Sequence, residues 1–326
     1  MVRCPGNCVV HLHSAAGKDW FLRRMTPFKR FVSPDGTRYY VITQANNERQ
    51  LLTPAQVSTV HFLKKIADME RNTGCRVDNI LFILPASSNT PQYQSQVSAA
   101  ATAAGAHVLL FIERPVLAAA YYDSLRAGPK TVLVFELGGR ILEISLITLD
   151  FDINVKAAVS DLGCPLFHVL LSKLSSKLEF DFTSDVDSLI DIRTECERGK
   201  NALCSGSDSV ELKFERQGRE VIETISRASL VEMNLNLLRT GIKRCLTEAG
   251  VEQEAVDEVV LAGASTNIPE VRQVLREFFH KQPFRCETDP ANLIKLSVLQ
   301  YLDILSDLAG VHVVGIHIAD MGVFSV

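Results

Sequence analysis

The sequence predicts an α/β fold, and three observations carry that prediction. Short apolar runs of strand length alternate with longer segments of helical period through most of the chain. Two of the apolar runs lead straight into small residues: Val132-Leu133-Val134-Phe135-Glu136-Leu137 into Gly138-Gly139, and Glu258-Val259-Val260-Leu261-Ala262 into Gly263-Ala264. Helix-start signals stand just after turns, as in Thr53-Pro54, with proline at the first helical position, and at Ser226.

Taken in order, residues 1 to about 50 show little pattern apart from the turn Ser33-Pro34-Asp35-Gly36 and the short strand Arg38–Ile42 after it. A helix is predicted from Val57 to about Arg71, with Val60, Leu63, Ile66 and Ala67 on its inner face. Val77–Leu84 is a buried strand ended by Pro85, Gln92–Ala104 an alanine-rich helix, His107–Ile112 a strand and Pro115–Leu125 a helix. Arg126–Lys130 has linker composition. Strands 132–137 and 141–147 form a hairpin, with Asn154–Val159 as a third strand. Helices follow from Gly163 to about Leu178 and from Leu189 to Leu203. Ser209–Phe214 and Arg219–Ile225 alternate polar and apolar residues and read as a half-exposed hairpin. A long helix runs from Ala228 to Ala249. Strand 258–262 then leads to helix Glu270–Phe279, helix Asn292–Leu308 and an extended segment 311–318.

The 326 residues suffice for two domains or one large bilobal one. Hydrophobic residues at 47% and charged residues at 22% are the balance of a globular protein, and a net charge of −4 supplies no basic field for nucleic acid. No apolar run reaches the ~18 residues of a membrane span, and the N-terminus lacks the pattern of a secretory signal. The expectation is therefore a cytoplasmic chain with no membrane and no nucleic-acid partner. Of the eight cysteines, Cys4 and Cys8 are spaced like half a metal site, but no second pair completes it. Most of the others read as buried reduced thiols.

A strand that ends in an acid and turns on two glycines can bring backbone N–H groups and a carboxylate to a phosphate and its metal. By itself Glu136-Leu137-Gly138-Gly139 is weak evidence, because most Gly-Gly turns between apolar strands are plain hairpins. A second strand-to-glycine turn at Gly263 changes that balance, because two such turns facing each other bracket one nucleotide.

Several blocks in one order resemble the nucleotide-binding domain of the 70-kDa heat-shock chaperone family. Leu84-Pro85-Ala86 with Asn89 and Gln92 is similar to its Val-Pro-Ala strand end. Pro115 with Ala118-Ala119 is similar to its Asn-Glu-Pro-Thr-Ala-Ala-Ala segment, and Phe135–Gly139 to its second phosphate loop. Arg193-Thr194-Glu195-Cys196-Glu197-Arg198-Gly199-Lys200 resembles its Arg-Thr-Ala-Cys-Glu-Arg-Ala-Lys helix, and Leu261–Pro269 its adenosine loop. The resemblance implies a bilobal actin-like ATPase (ribonuclease H-like) fold. Residues 1–126 would be a shortened, incomplete lobe I, mainly its IA subdomain with residual IB at 27–50. Residues 127–166 and 245–310 would form subdomain IIA, 167–244 subdomain IIB, and 311–326 a tail like the interdomain linker, without a peptide-binding domain.

By the same resemblance, ATP or ADP with Mg2+ would be held by Gly138, Gly139, Arg140, Gly163, Glu197, Lys200, Gly263, Ala264, Ser265 and Asn267. Glu136 would stand as the metal-side acid, with no direct metal ligand assigned. Pro85, Tyr93 and Arg114 occupy the interlobe relay. Co-chaperones such as a J-domain protein or a nucleotide exchange factor are the implied partners.

The departures are specific. Nothing in Met1–Arg30 matches the first phosphate loop, Asp-Leu-Gly-Thr-Thr. The metal-side Asp is Glu136, the third Gly of the second loop is Arg140, its Thr is Ile141 and its final Asp is Glu143. Gly163-Cys164-Pro165-Leu166 lacks both acids of Gly-Gly-Glu-Asp. The arginines beside the nucleoside are Asn201 and Asn267, and the relay's Arg and Glu are Tyr93 and Arg114. Phosphoryl transfer depends on positioning and charge neutralisation. The expectation is thus a pseudo-ATPase that binds nucleotide weakly and serves as a regulatory or assembly partner. An active folding chaperone and a scaffold that keeps only the fold are the alternatives. Glu197 and Lys200 also read as an ordinary i,i+3 ion pair, and Ser265-Thr266 as a helix cap.

Overall fold

The computed structural model describes residues 9–15, 29–34, 38–43, 49–122, 128–138, 141–150, 153–162, 166–180, 182, 186–216, 218–280, 287–309, 313–316 and 321–322. The chain divides into two compact units, one of Met1–Asp19, Phe28–Arg126 and Ile294–Val326, the other of Trp20–Pro27 and Ala127–Leu293.

The first unit is built on a parallel sheet. Its strands are β1 (Val9–Ala15), β5 (Asn79–Leu84), β6 (His107–Glu113) and β13 (Val313–Ile316), in the order β13-β1-β5-β6, with β14 (Met321–Gly322) also paired to β1. Strand β5 reads Asn-Ile-Leu-Phe-Ile-Leu because it is covered on both faces, as strands of parallel sheets are. Ile80, Phe82 and Leu84 pack with Phe62, Ile66 and Met69 of helix α1 (Pro54–Thr73) and with Val97 and Ala101 of α2 (Pro91–Ala103). Leu81 and Ile83 pack on the other side with Leu117 of α3 (Arg114–Tyr121) and Val298 and Leu302 of α8 (Leu293–Ala309). Three short strands, β2 (Lys29–Val32), β3 (Arg38–Thr43) and β4 (Arg49–Leu52), form an antiparallel meander.

Three expectations are corrected here. Val60 and Leu63 are 54% and 47% exposed, while Val57, Phe62, Ile66 and Met69 turn inward. Helix α1 is thus rotated from the predicted phase, and Phe62 sets its buried side because it fits beside Phe82. Residues 9–15, expected to show little pattern, form a strand that pairs with β5 on one side and β13 on the other. Helix α8, expected within the 245–310 segment of the second half, packs in the first unit because its Val298–Leu302 stripe matches the apolar face of β5. In addition, Cys75 is disulfide-bonded rather than a reduced thiol.

The second unit has two cores. The first lies on a sheet ordered β12-β7-β8-β9, made of β7 (Lys130–Leu137), β8 (Ile141–Leu149), β9 (Ile153–Leu162) and β12 (Glu258–Ala262). Strand β12 runs parallel to β7, whereas β7, β8 and β9 are antiparallel. Leu133, Phe135, Leu142, Ile144 and Leu261 meet α6 (Arg227–Ala249) and α7 (Pro269–Phe279). The Ser226 hydroxyl accepts from the Ser229 N–H and starts α6, and Gly250 ends it in the left-handed conformation. The second core joins α4 (Leu166–Leu178), α5 (Val186–Cys204) and the hairpin β10 (Ser209–Arg216) and β11 (Arg219–Ser226).

Cys245 on α6 is fully buried against the sheet, and its thiol lies 3.4 Å from the Ile144 carbonyl. Burial pushes this thiol from 9.0 up to about 12. The folded state therefore favours the protonated form. That contribution is whole below pH 9 and is lost as pH rises toward 12. Iodoacetamide at pH 8 is expected to leave Cys245 unmodified in the native chain and to label it after denaturation, as peptide mass analysis would read. Labelling at equal rates in both states would contradict this.

Candidate functional site

The register of β12 on β7 places Ala262 beside Glu136, so the turns that follow both strands emerge side by side. Gly263 has φ 85° and ψ 141°, a conformation essentially restricted to glycine. A Cβ there would lie 2.4 Å from the Leu137 carbonyl oxygen and 3.1 Å from the Gly138 nitrogen. The Gly263 N–H donates to the Pro290 carbonyl at 2.7 Å. A 3-10 turn, Ala264–Asn267, follows, and the Ser265 hydroxyl lies 3.3 Å from the Gly138 carbonyl. Thr266, fully buried, donates its hydroxyl to the Gly263 carbonyl at 2.8 Å. Gly138, Gly263, Ala264 and Ser265 are thus brought together as one backbone cradle. Neither the Ser265 nor the Thr266 hydroxyl caps α7: the cap position is Ile268, which receives no side-chain bond, and Pro269 opens the helix. Gly139, Arg140 and Gly163 lie outside the described residues.

Glu136, next to last in β7, stands directly opposite Glu143 on β8. Glu143 is 2% exposed. The two carboxylates share one face of the hairpin. Their hard oxygen donors suit a divalent cation that keeps much of its water. The sequence reading left Glu143 out of the site, although its spacing from Glu136 across a tight hairpin already implied the pairing. Among the described residues no cluster of three or more His, Cys, Asp or Glu forms a metal centre.

Glu197 and Lys200 lie on α5, in the other core of the same unit. They form the i,i+3 ion pair, with the Lys200 side chain only 7% exposed and Glu197 39% exposed. Beside them Glu195 binds Arg198, accepts from the Lys213 N–H at 3.0 Å, and Arg198 donates to the Glu211 carbonyl at 2.5 Å. A carboxylate and a guanidinium thereby serve β10 in place of a further strand. The Arg198 partnership, then burial acting in the opposite sense, leaves the Glu195 carboxyl below its ordinary range. Gly199 lets the helix close on the hairpin: its Cβ would sit 2.4 Å from Leu212 Cδ2. Because that atom ends a flexible side chain, Gly199→Ala is expected to change stability by less than about 1 kcal/mol, overpacking being offset by helix propensity. A loss above about 2 kcal/mol in urea unfolding would show that Leu212 cannot yield.

The relay residues lie in the first unit. Pro85 precedes a 3-10 turn, Ala86–Ser88. Asn89 donates to Glu113 at 2.8 Å and accepts from Gln94 at 2.6 Å, tying this turn to the end of β6. Tyr93 packs its ring on Phe82 at 6.5 Å and belongs to the aromatic cluster. Arg114 is buried at the start of α3. The carboxylate that reaches the post-proline turn is therefore Glu113, one residue before the position assigned to the relay.

A family model described as Hsp70 protein matches residues 5–295. The chain is also similar to Heat shock 70 kDa protein 2 of Paracoccidioides lutzii (strain ATCC MYA-826 / Pb01), at 30% identity over 272 residues. That match covers 79% of this chain and 41% of the relative. The chain thus belongs to the Hsp70 family, whose nucleotide-binding domain has the actin-like ATPase fold. It spans less than half the length of that relative. Among the described residues no helix is long and apolar enough to cross a membrane.

Proposed function

We propose that the chain is a divergent Hsp70-type nucleotide-binding domain that takes ATP or ADP with Mg2+ weakly, turns it over poorly or not at all, and acts as a regulatory or assembly partner in a chaperone system. The observation that carries this reading is the cradle at Gly263, where the turns that follow β7 and β12 approach too closely for any Cβ. Glu136 and Glu143 would hold a magnesium ion through its water shell, and that ion would neutralise phosphate charge. Weak turnover follows from the substitutions: Glu136 moves its carboxylate by a methylene, and Asn201 and Asn267 carry no charge. Losing even one charge-stabilising donor typically lowers a rate by about 10²–10³. A cytoplasmic setting and partnership with a J-domain protein or a nucleotide exchange factor belong to the same proposal, as does an interlobe relay at Pro85.

Calorimetric titration with ATP and magnesium tests it, and heat of binding together with a rise in unfolding temperature is expected. Neither signal at millimolar nucleotide would sink the reading and leave a scaffold that keeps only the fold. A measurable single-turnover hydrolysis would instead place the chain among active ATP-driven chaperones.

A further inference from the structure

The turn after Gly263 is clamped at both ends to one short segment. At its start the Gly263 N–H binds the Pro290 carbonyl. At its end Asn267 Nδ2 donates to Asp289 Oδ1 at 3.0 Å. The other end of the same amide is also engaged, because Asn267 Oδ1 accepts from Arg272 Nη2 at 2.7 Å. Arg272, on the first turns of α7, donates Nε to the Thr266 carbonyl at 2.9 Å as well. Asp289 is fixed in turn by the Ala291 N–H at 3.1 Å and Asn292 Nδ2 at 3.2 Å. The chain of contacts runs from a guanidinium through a neutral amide to a carboxylate and closes back on Gly263.

We propose that Arg272, Asn267 and Asp289 form a positioning relay that holds the Ala264–Asn267 turn in the shape that receives an adenine nucleotide, and that Asn267 acts through this relay rather than by touching the ligand. The proposal rests on the nucleotide reading above. Both ends of the Asn267 amide are held, Nδ2 by Asp289 and Oδ1 by Arg272, and the two contacts fix the plane of the amide. The relay needs a planar fork with two separate donors, which arginine supplies and lysine does not. Hydrogen bonds from Asn267 and the Ala291 N–H, with the Arg272 charge nearby, hold the Asp289 carboxyl below its ordinary range, so it is ionised at neutral pH and attracts the guanidinium.

The test measures ADP affinity by calorimetry and urea unfolding with and without ADP, in the full chain and in Arg272→Gln, Arg272→Lys, Asn267→Ala and the Asn267→Ala/Arg272→Gln double variant. Arg272→Gln is expected to weaken ADP about tenfold while the ADP-free unfolding midpoint stays near that of the parent. Arg272→Lys is expected not to rescue binding. The double variant is expected to bind no more weakly than Arg272→Gln alone, because both changes break one relay. Asp289→Asn, which keeps the shape and removes the charge, is expected to lose affinity in the same direction. Equal affinity in Arg272→Gln, or losses that add in the double variant, overturns the relay and leaves the nucleotide reading intact. Absence of ADP binding to the parent chain overturns the nucleotide reading itself, and the relay with it.

Discussion

Gly263→Ala is expected to destabilise the second unit by about 3 kcal/mol and, on the proposed nucleotide reading, to abolish adenine-nucleotide binding. Two costs act together. The backbone at φ 85° and ψ 141° lies in a region that costs an L-residue about 1–3 kcal/mol. The new methyl would also meet the Leu137 carbonyl at 2.4 Å, and that oxygen belongs to the backbone of a strand in a closed register. Relief requires β12 to move away from β7, which breaks the Ala262–Glu136 pairing and pulls Ser265 from Gly138. Gly250→Ala separates the two costs. Gly250 also has positive φ, 65°, but nothing lies within 4 Å of its Cβ position, so only strain of about 1 kcal/mol is expected. Urea unfolding with an unchanged m-value measures both. Equal losses in the two variants would show that close approach at Gly263 contributes nothing.

The same glycine shows what a sequence can carry. A strand running into Gly263-Ala264 announces a turn, and a second strand running into Gly138-Gly139 announces another. That the two share an edge is a consequence of strand order, with β12 inserted parallel beside β7, and strand order is a long-range property. The family blocks supplied that order where local pattern could not. They also assigned Asn267 to the ligand by position alone. Its amide is instead engaged by Arg272, five residues ahead, and Asp289, twenty-two residues ahead, and neither partner stands out in the sequence.

Fold elements were legible where periodicity and capping agreed. Thr53 and Gln56 form the capping box that starts α1, and Gly74 closes it in the left-handed conformation. Helical phase was less legible. Val60 and Leu63 are as apolar as Val57 and Met69, so composition gives two overlapping stripes, and packing against Phe82 selects between them. Strand β1 was missed because Val9–Ala15 mixes histidine and serine with its valines and carries no turn signal that marks a strand. It forms beside β5, a partner about seventy residues away whose backbone groups need pairing.

Removing both lysines of α4 that face β11 is expected to destabilise the second unit by about 2–3 kcal/mol, whereas replacing their common partner is not. Glu223 stands directly opposite Leu212, on the inner face of the β10–β11 hairpin, and its side chain is 8% exposed. Lys177 pairs with one of its oxygens and Lys173 approaches the other at 3.7 Å, both lysines being about half exposed, at 53% and 48%. The carboxylate therefore bears most of the desolvation, while the ammonium groups stay largely hydrated. Lys173→Met/Lys177→Met leaves that carboxylate buried without compensation, and the exposure of the lysines keeps the loss toward the lower end of the range for a broken buried pair. Glu223→Leu removes the buried charge and places an apolar side chain opposite Leu212, a member of the core that also holds Ile225 and Leu174, with an expected change within about 1 kcal/mol of the parent or a gain. Thermal or urea unfolding of the two variants at pH 7 reads the difference. If Glu223→Leu proves the more damaging, the ion pair holds α4 to the hairpin by attraction, and relief of an unfavourable buried charge is the wrong account of why both lysines are there.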